Sequence, residues 1–520
     1  FLCTLCIPLA MVAALQLSSP SLPPSNLNPK FNPFGTVATH QQSKIASSSR
    51  CRLFITNSQQ QQPHHLHDHI PTLLPPPNEN VAAVIFGDGG SSESSRLYPL
   101  TKRRSQAAIP IAANYRLIDV VVSNCINSSI TKIYVLTQFN STSLNSHLAK
   151  AYSRLGLGQG GFVEVVAAYQ SLEHQAWFQG TADAIRRCSW VLEEHPVSEF
   201  LLLPGHHLYR MDYRKLLEAH RRGNADITIA ALGCSSGRRE EQEGLGRLEV
   251  NSMNQVIGFH DGRQGNSEVS CRGGVFENMG IYVINREVLR KLVHESFPEA
   301  IDLGSEVIHG SIISLGLKVQ ACPFNGYWED MRSISAFYQA NMEFVKRSNN
   351  CQSFYDMGSP LYTIPRCLPP TTVTNALIAD CVIGDGCILN RCRIKGSVVG
   401  MRTRIGDGVV VEDSVILGAD NYQDDKIGVE ERRKRSNGMN RITMEGGMNN
   451  NGRNGVPIGI GDGTLMRRAI VDKNARIGKN VKIINKNGVL EADREREGYM
   501  IKDGIIVIMR GAVIPDDTVL

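Results

Sequence analysis

A glycine-rich loop follows the first strongly apolar run of the folded part of the sequence. The run Val81–Phe86, VAAVIF, is typical of a buried strand, and Gly87, Gly89 and Gly90 come directly after it. Backbone N–H groups in such loops commonly bind phosphate oxygens, because glycine lets the chain approach the anion closely. The loop therefore predicts a phosphate-binding site, although a structural turn explains a single glycine loop equally well.

Strand-like and helix-like segments alternate after the glycine loop, and this pattern predicts that a second loop lies close to it. Strand-like runs cover residues 132–137, 199–205 and 225–232, and helix-like stretches lie near 140–153, 182–194 and 212–222. This alternation predicts an α/β domain with a parallel sheet and crossover helices. Ligands of such sheets bind at the carboxyl ends of the strands, so we expect chemistry in the loops after Phe86 and Leu203.

Beyond Pro370 the apolar residues recur every six positions. The matching sets are Val382, Ile388 and Ile394, then Ile405 and Val411, then Val471, Ile477 and Ile483. A six-residue period with IGDG turns predicts a parallel β-helix, whereas two ordinary β-sheets would alternate with a period of two. Stacked coils bury each other's faces, and an exposed flank favours oligomerisation.

The composition divides the chain into a leader and two domains. Residues 1–78 contain one acidic residue, Asp68, and are rich in Ser, Pro, Gln and His, which is typical of a chloroplast transit peptide; the alternative is a disordered tail. We expect a nucleotide-binding domain over 79–350, a linker over 351–372 and the β-helix over 373–520. A polar loop at 420–455 interrupts the coils, and we interpret it as a retained intron or a lineage insertion; the alternative is a basic docking site.

The charge distribution excludes some partners. The chain of 520 residues has a net charge of +5, and its basic residues are spread along the sequence. This distribution argues against nucleic acid as the main partner. The longest apolar stretch, residues 1–17, is interrupted by polar residues and proline, and it is shorter than the roughly 20 residues that span a membrane. We therefore expect a soluble protein that binds neither nucleic acid nor a membrane.

Long blocks of the sequence, among them RLYPLTKRRSQAAIP, WFQGTADAIR, HLYRMDY and GYWED, resemble the small subunit of plant ADP-glucose pyrophosphorylase (glucose-1-phosphate adenylyltransferase). The resemblance runs from about Val81 to Leu520. It implies a Rossmann-like, GT-A-like mixed-sheet nucleotidyltransferase domain followed by a left-handed parallel β-helix. It also implies a plastid protein of starch biosynthesis, in a family that converts ATP and glucose 1-phosphate to ADP-glucose and pyrophosphate.

The nucleotide loop departs from the pattern of this family. The family reads GGGxGTRL, and this chain reads GDGGSSESSRL, which keeps the catalytic Arg96 but is three residues longer. Asp88 and Glu93 would lie near the phosphates, so we expect weakened ATP binding. The resemblance also assigns Gln170 and Gly180 to nucleotide binding.

The metal-binding segment also departs from the pattern of the family. The family's AGDHLYRMDY carries an aspartate that holds the catalytic Mg²⁺, and here PGHHLYRMDY places His206 at that position. Imidazole is a poor ligand for Mg²⁺ and brings no negative charge. The second metal carboxylate of the family corresponds to Asp330, so one of two remains, and we expect weak or absent Mg²⁺ binding.

The family's sugar-phosphate residues are partly substituted in this chain, whereas the cations of its effector site are retained. The lysine that grips the sugar phosphate in the family is replaced by Arg263, one residue displaced, and the family's serine before MGIYV is Asn278, while Asp302 is retained. Gln106 replaces another lysine near the phosphates. By contrast, cations are retained at the positions that bind the activator 3-phosphoglycerate and the inhibitor phosphate in the family, which are Arg104, Arg116, Lys473 and Arg510. Four cations from distant segments could form an oxyanion site, although solvated surface charges are the plainer interpretation.

Three hypotheses follow from these patterns. The first is a small-subunit paralogue that assembles with large and small subunits, has impaired or absent catalysis and acts in regulation. The second is a fully active adenylyltransferase that tolerates His206 and the longer loop. The third is a scaffold or effector-sensing subunit without a nucleotide site.

Overall fold

The computed structural model of the chain describes residues 80–87, 97–158, 160–168, 176–233, 246–260, 274–346, 354, 356–422 and 455–520. The expected transit peptide and most of the expected inserted loop lie outside these ranges. So do five of the expected site residues: Gly89, Gly90, Arg96, Gln170 and Arg263. The domain boundaries expected at residues 79, 350 and 373 stay predictions.

A mixed sheet forms the first half of the described chain. Its strands and short ribbons are β1 (Val81–Phe86), β2 (Pro110–Ile111), β3 (Tyr115–Arg116), β4 (Lys132–Thr137), β5 (Phe162–Ala167), β6 (Glu199–Pro204), β7 (His207–Tyr209), β8 (Ile227–Gly233), β9 (Arg247–Val250), β10 (Val256–His260), β11 (Val275–Asn285), β12 (Val319–Phe324) and β13 (Trp328–Asp330). The helices are α1 (Leu117–Asn127), α2 (Thr142–Ala151), α3 (Thr181–Leu192), α4 (Tyr213–Gly223), α5 (Arg286–Lys291), α6 (His309–Ser314) and α7 (Ile334–Val345).

The apolar run VAAVIF forms the centre of this sheet. Strand β1 lies between β4 and β6, is parallel to both, and has every residue buried. Its burial on both faces explains why the sequence shows no polar alternation here. Strand β11 is antiparallel to both β6 and β8, so the sheet is mixed and not wholly parallel as the alternation of strands and helices predicted. The alternation predicts the parallel arrangement of β4, β1 and β6, but it indicates neither β5 nor β11, the antiparallel strand that joins β6 to β8.

The second half is a stack of three-stranded coils. Its strands are β14 (Thr372–Thr374), β15 (Leu377–Ala379), β16 (Val382–Ile383), β17 (Ile388–Asn390), β18 (Arg393–Lys395), β19 (Val398–Val399), β20 (Arg404–Ile405), β21 (Val410–Glu412), β22 (Val415–Ile416), β23 (Gly459–Ile460), β24 (Leu465–Arg467), β25 (Ala469–Val471), β26 (Arg476–Ile477), β27 (Lys482–Ile483), β28 (Ala492–Arg494), β29 (Tyr499–Lys502), β30 (Ile505–Ile508) and β31 (Val513–Ile514). They form three sheets, and strands of successive coils pair in parallel.

The six-residue period marks the interior of these coils. Ile394, Ile405, Val411, Ile477 and Ile483 are all fully buried. Two positions of the pattern differ, because a two- or three-residue strand turns adjacent side chains to opposite faces. In β17 the buried residue is Leu389, next to the half-exposed Ile388. Val382 packs with the apolar cluster around α7 instead of the coil interior.

Helix α7 packs on one flat side of the β-helix. Phe337 of α7 shares a buried apolar cluster with four strand residues of successive coils, which are Val398, Val415, Ile470 and Val507. The hydroxyl of Tyr338 donates a hydrogen bond to the Asp413 carbonyl oxygen at 2.6 Å. Arg104 forms a buried ion pair with Asp472 across the same junction. The junction between the halves is therefore a packed core, and it lies beside the expected effector residues.

In the part of the chain that the structure describes, no helix combines the length and hydrophobicity that a membrane span requires.

Candidate active site

Two glycines let the ends of β1 and β6 lie side by side. The Gly205 N–H donates to the Phe86 carbonyl oxygen at 2.9 Å, and a Cβ atom on Gly205 would lie 2.6 Å from that oxygen. Gly87 is similarly close to β4, where a Cβ atom would lie 2.9 Å from the Leu136 carbonyl oxygen. Any larger residue would push the strands apart. Gly87 therefore has a packing role of its own, and Gly205 directs His206 to the carboxyl end of β6.

A two-stranded ribbon positions the histidines against Asp330. Strands β7 and β13 are antiparallel, and their register places His207 directly opposite Asp330. The Nε2 atoms of His206 and His207 each lie 3.4 Å from the same atom, Asp330 Oδ1. The two residues that the sequence singled out, His206 and Asp330, are thus brought together. His207 is an additional member of the group, and the His-His dipeptide at the start of the ribbon was the available signal for it.

Arg332 balances the charge of the carboxylate. Its Nε lies 2.7 Å from Asp330 Oδ2. Burial alone would raise the pKa of Asp330, but the two imidazoles and the Arg332 guanidinium together hold that pKa well below its usual range. Burial lowers the pKa of His207 to about 4, against the attraction of Asp330. At neutral pH the group therefore contains an ionised carboxylate paired with arginine and a neutral His207.

This set of side chains does not fit Mg²⁺. The ion requires octahedral oxygen ligands and usually binds through carboxylates and phosphates. Among the residues that the structure describes, the carboxyl end of β6 offers one carboxylate, already paired with Arg332, and two imidazoles. The Gln106 amide, which stands where the family has a lysine, donates to the Met331 carbonyl oxygen at 2.7 Å beside this group. Two of the substituted residues, Gln106 and His206, therefore lie beside the same segment, Asp330 and Met331.

Asn278 and Asp302, two of the three expected sugar-phosphate residues, form hydrogen bonds within the protein. The Asn278 amide is buried, donates to the Tyr282 hydroxyl at 2.9 Å and accepts from the Gly280 N–H at 2.9 Å. Asp302 accepts from the Ser305 N–H at 2.9 Å and thereby caps a helical segment. Its other oxygen accepts from the Thr181 hydroxyl at 3.2 Å.

The Tyr282 hydroxyl interacts with both Asn278 and Asp302. Burial raises its pKa, and the Asp302 charge adds to that effect against the hydrogen bond from Asn278. Gly180 lies nearby, where a Cβ atom would be 2.5 Å from the Ile301 carbonyl oxygen. Gly180, Asn278 and Asp302 therefore lie in one neighbourhood, and each has a structural role there that explains its residue type.

A cluster of cations surrounds Asp420 beside the domain junction. The Lys473 Nζ lies 2.8 Å from Asp420 Oδ1, and an Arg510 guanidinium nitrogen lies 2.9 Å from Asp420 Oδ2. The charges of Lys473 and Arg510 lower the pKa of Asp420 far below its usual value, although burial opposes this. We call Arg116, Arg366, Lys473, Arg510 and Asp420 the Asp420 cluster.

Arg116 and Arg366 interact with the centre of this cluster. Burial, together with the positive charges of Arg366 and Arg104, lowers the pKa of Arg116 to about 10, while the charges of Asp119 and Asp420 act in the opposite direction. Arg104 itself is paired with Asp472, the residue next to Lys473. The four expected effector residues therefore converge. Asp420 and Arg366 were not predicted to belong to this cluster, and the signals for them in the sequence are the GAD turn after β22 and the arginine in PRCLPP.

A mixed sheet with a carboxylate beyond the ends of its strands, followed by a parallel β-helix, is the architecture of a nucleotidyltransferase with a C-terminal β-helix domain. Residues 82–347 match the nucleotidyl transferase family, and residues 366–519 match the GLGC left-handed parallel β-helix domain. The chain belongs to the glucose-1-phosphate adenylyltransferase small-subunit family, as its relatives show.

Two relatives illustrate this membership. The chain is 54% identical over 479 residues to the inactive glucose-1-phosphate adenylyltransferase small subunit 2, chloroplastic, of Arabidopsis thaliana. The aligned region covers 90% of this chain and 93% of the relative. The chain is 44% identical over 465 residues to the chloroplastic/amyloplastic small subunit of the same enzyme from Triticum aestivum, with 86% of this chain and 93% of the relative covered.

These similarities confirm several expectations from the sequence. The family, the nucleotidyltransferase fold with a left-handed β-helix, and the relation to a small subunit with impaired catalysis are confirmed. The names of the relatives also confirm the expected plastid location. Nucleotidyltransferases generally use divalent metal ions.

Proposed function

We propose that this chain is a plastid subunit of the glucose-1-phosphate adenylyltransferase assembly whose own catalysis is impaired and whose role is regulatory. Its partners are large and small subunits of the enzyme, and the substrates of the assembly are ATP and glucose 1-phosphate. The observation that carries the proposal is the position of His206. It occupies the place of a metal carboxylate and lies 3.4 Å from Asp330, the carboxylate that remains.

The loss of a carboxylate matters because this reaction depends on charge neutralisation. Attack of the sugar phosphate on the α-phosphorus brings two polyanions together, and a divalent ion and cationic side chains stabilise the transition state. Here Asp330 is paired with Arg332 and faces two imidazoles. With Mg²⁺ weakly held, the reaction loses several kcal/mol of stabilisation, which corresponds to a decrease of about a hundredfold or more in turnover.

The Asp420 cluster supports the regulatory part of the proposal. Lys473 and Arg510 come from distant segments and both contact Asp420, and the charge of Asp420 also acts on the pKa of Arg116. Oxyanions such as 3-phosphoglycerate and phosphate suit a site of this kind, because convergent cations form charge-assisted hydrogen bonds with them. An anion that binds there must compete with Asp420 for the same cations.

The Arabidopsis relative agrees with this interpretation. Its name describes it as inactive, and it is 54% identical over nearly the whole length of both chains. A subunit of this kind retains its fold and junction while its reaction centre changes.

The test is an assay of ADP-glucose formation with Mg²⁺, ATP and glucose 1-phosphate. We would compare the full chain alone, the chain with a large subunit, and the His206→Asp variant in both settings. We expect no measurable turnover by the chain alone and a changed response to 3-phosphoglycerate in the mixture. A Lys473→Gln variant should lose the changed response while it still assembles. Normal turnover by the unmodified chain alone would refute the proposal and identify an ordinary starch enzyme.

A further inference from the structure

We propose that His206, His207 and Asp330 form a binding site for a divalent transition-metal ion of the zinc type, in preference to Mg²⁺. The three residues form a group that could hold a metal ion, with one ligand atom from each and all three atoms within 4.8 Å of one another. The proposal concerns binding and selectivity, so it does not depend on whether the chain is catalytically active.

The distances suit a small tetrahedral ion. Both imidazole Nε2 atoms lie 3.4 Å from Asp330 Oδ1. Zinc binds nitrogen and oxygen ligands at about 2.0–2.2 Å with tetrahedral angles, which places neighbouring ligand atoms about 3.3–3.6 Å apart. Two edges of the ligand triangle therefore already have the required length. The third edge, between the two imidazoles, lies within 4.8 Å.

The local hydrogen bonding also indicates a ligand. His207 is fully buried, and among the residues that the structure describes neither of its ring nitrogens has a hydrogen-bond partner. Asp330 Oδ1 is buried without a hydrogen bond as well, because its contacts with the two histidines do not have hydrogen-bond geometry. Leaving a buried polar group without a partner costs about 1–3 kcal/mol. An ion that accepts electron pairs from all three atoms would remove this cost.

The surroundings hold the ligands in place. The register of β7 and β13 fixes His207 opposite Asp330, and Gly205 fixes the start of the turn that carries His206. Arg332 binds Asp330 through Oδ2, which leaves Oδ1 directed at the histidines. Partners of this kind orient a ligand before the metal binds.

The chemistry of the donors gives the selectivity. Imidazole nitrogen is a good ligand for Zn²⁺, Co²⁺, Ni²⁺ and Cu²⁺, whereas Mg²⁺ prefers carboxylate, phosphate and water oxygens. A histidine in place of an aspartate thus exchanges a hard anionic ligand for a borderline neutral one. The same substitution that weakens a magnesium site creates a site with two imidazoles and one carboxylate, which is a common donor set for catalytic zinc.

The probe is Co²⁺, because its visible absorption reports tetrahedral coordination without any need for turnover. The histidines of HHLHDH at residues 64–69 could bind the same ion, so the measurements use a full-length chain in which all four are replaced by asparagine. Co²⁺ is titrated into this background chain while the absorption between about 500 and 700 nm is recorded, and Zn²⁺ or Mg²⁺ is then added as a competitor.

We expect one Co²⁺ per chain, displacement by a stoichiometric amount of Zn²⁺, and no displacement by a thousandfold excess of Mg²⁺. His206→Ala, which removes one ligand, should weaken Co²⁺ binding at least tenfold, and Asp330→Asn should do the same. The matched control is His260→Gln, which removes a histidine paired with Glu249 at 2.8 Å elsewhere in the domain and should leave binding unchanged.

Circular dichroism of each metal-free variant establishes that it is folded before the titration is compared. If Asp330→Asn does not fold, His206→Ala alone decides, since it removes one ligand and leaves His207 and Asp330 in place. Co²⁺ binding that is unchanged in His206→Ala, or that Mg²⁺ abolishes at comparable concentration, or that is absent from the folded background chain, would overturn the proposal.

Discussion

Replacing Arg104 with methionine should destabilise the junction between the sheet domain and the β-helix. Arg104 and Asp472 have side chains that are 3% and 2% exposed, and they form an ion pair. The Arg104 Nε also donates to the Leu100 carbonyl oxygen at 3.0 Å. Removing one partner of a buried pair leaves an uncompensated charge, which costs about 3–5 kcal/mol. We expect the free energy of unfolding of Arg104→Met to fall by that amount.

The double variant Arg104→Met with Asp472→Leu separates the cost of an unpaired charge from the value of the pair. A buried ion pair is often replaceable by apolar residues at little cost, because both charges lose their desolvation penalty together. Asp472 also accepts a hydrogen bond from the Lys473 N–H at 2.6 Å, and its loss costs about 1 kcal/mol. We therefore expect the free energy of unfolding of the double variant to be about 1–2 kcal/mol lower than that of the wild type and clearly higher than that of the single variant.

Urea unfolding of the full chain, followed by circular dichroism and by tryptophan fluorescence, measures these differences. Coincident transitions by the two probes are required before free energies are compared. The control is Lys479→Met at the pair of Lys479 with Asp462, whose side chains are 65% and 48% exposed, and its transition midpoint should not move. A wild-type midpoint in Arg104→Met, or a double variant less stable than the single one, would refute this account of the junction.

Three further predictions concern packing and charge elsewhere. The buried carboxylate of Asp119 accepts four hydrogen bonds, which hold its pKa below the usual value although burial opposes them. The ionised carboxylate makes its full contribution to the free energy of unfolding above about pH 4, and this contribution is lost as the pH falls through the folded-state pKa. The difference in free energy of unfolding between the wild type and Asp119→Asn, measured by urea titration, should therefore shrink on acidification. Gly205→Ala should cost about 1–3 kcal/mol because its Cβ would meet the Phe86 carbonyl oxygen at 2.6 Å, whereas Gly233→Ala, with nothing within 4 Å, should leave the thermal midpoint unchanged. Asp420→Asn removes the carboxylate that neutralises the neighbouring cations, so calorimetry should show phosphate binding a few-fold tighter, and weaker binding would contradict the competition that we infer.

The β-helix was largely predictable because its signal is local. A coil repeats the same apolar spacing, so Ile394, Ile405 and Val411 identify the interior without any knowledge of the rest of the chain. The exceptions arise where a second surface covers a strand. Val382 faces the cluster around α7, and no spacing within the β-helix reveals that a distant helix packs there.

The candidate site was predictable only where the resemblance to a family named a position. His206 and Asp330 were identified in that way, and the structure brings them to 3.4 Å. The roles of His207 and Arg332 depend on the register of β7 and β13, which lie more than a hundred residues apart, and the sequence pattern does not fix that register. Asp420 was missed for a similar reason, since its partner Lys473 is close only after the coils have stacked.

The coils keep their register across residues 423–454. Ile405 pairs with Ile460, and Val411 pairs with Met466, as neighbouring rungs of the same sheets. The segments before and after this stretch are therefore held together by their own stacking, and the number of residues between them enters mainly through a slowly varying closure entropy. Such a point in a repeating fold is one where a gene can gain or lose an exon, or an experimenter can insert a tag, while the rungs on both sides stay aligned.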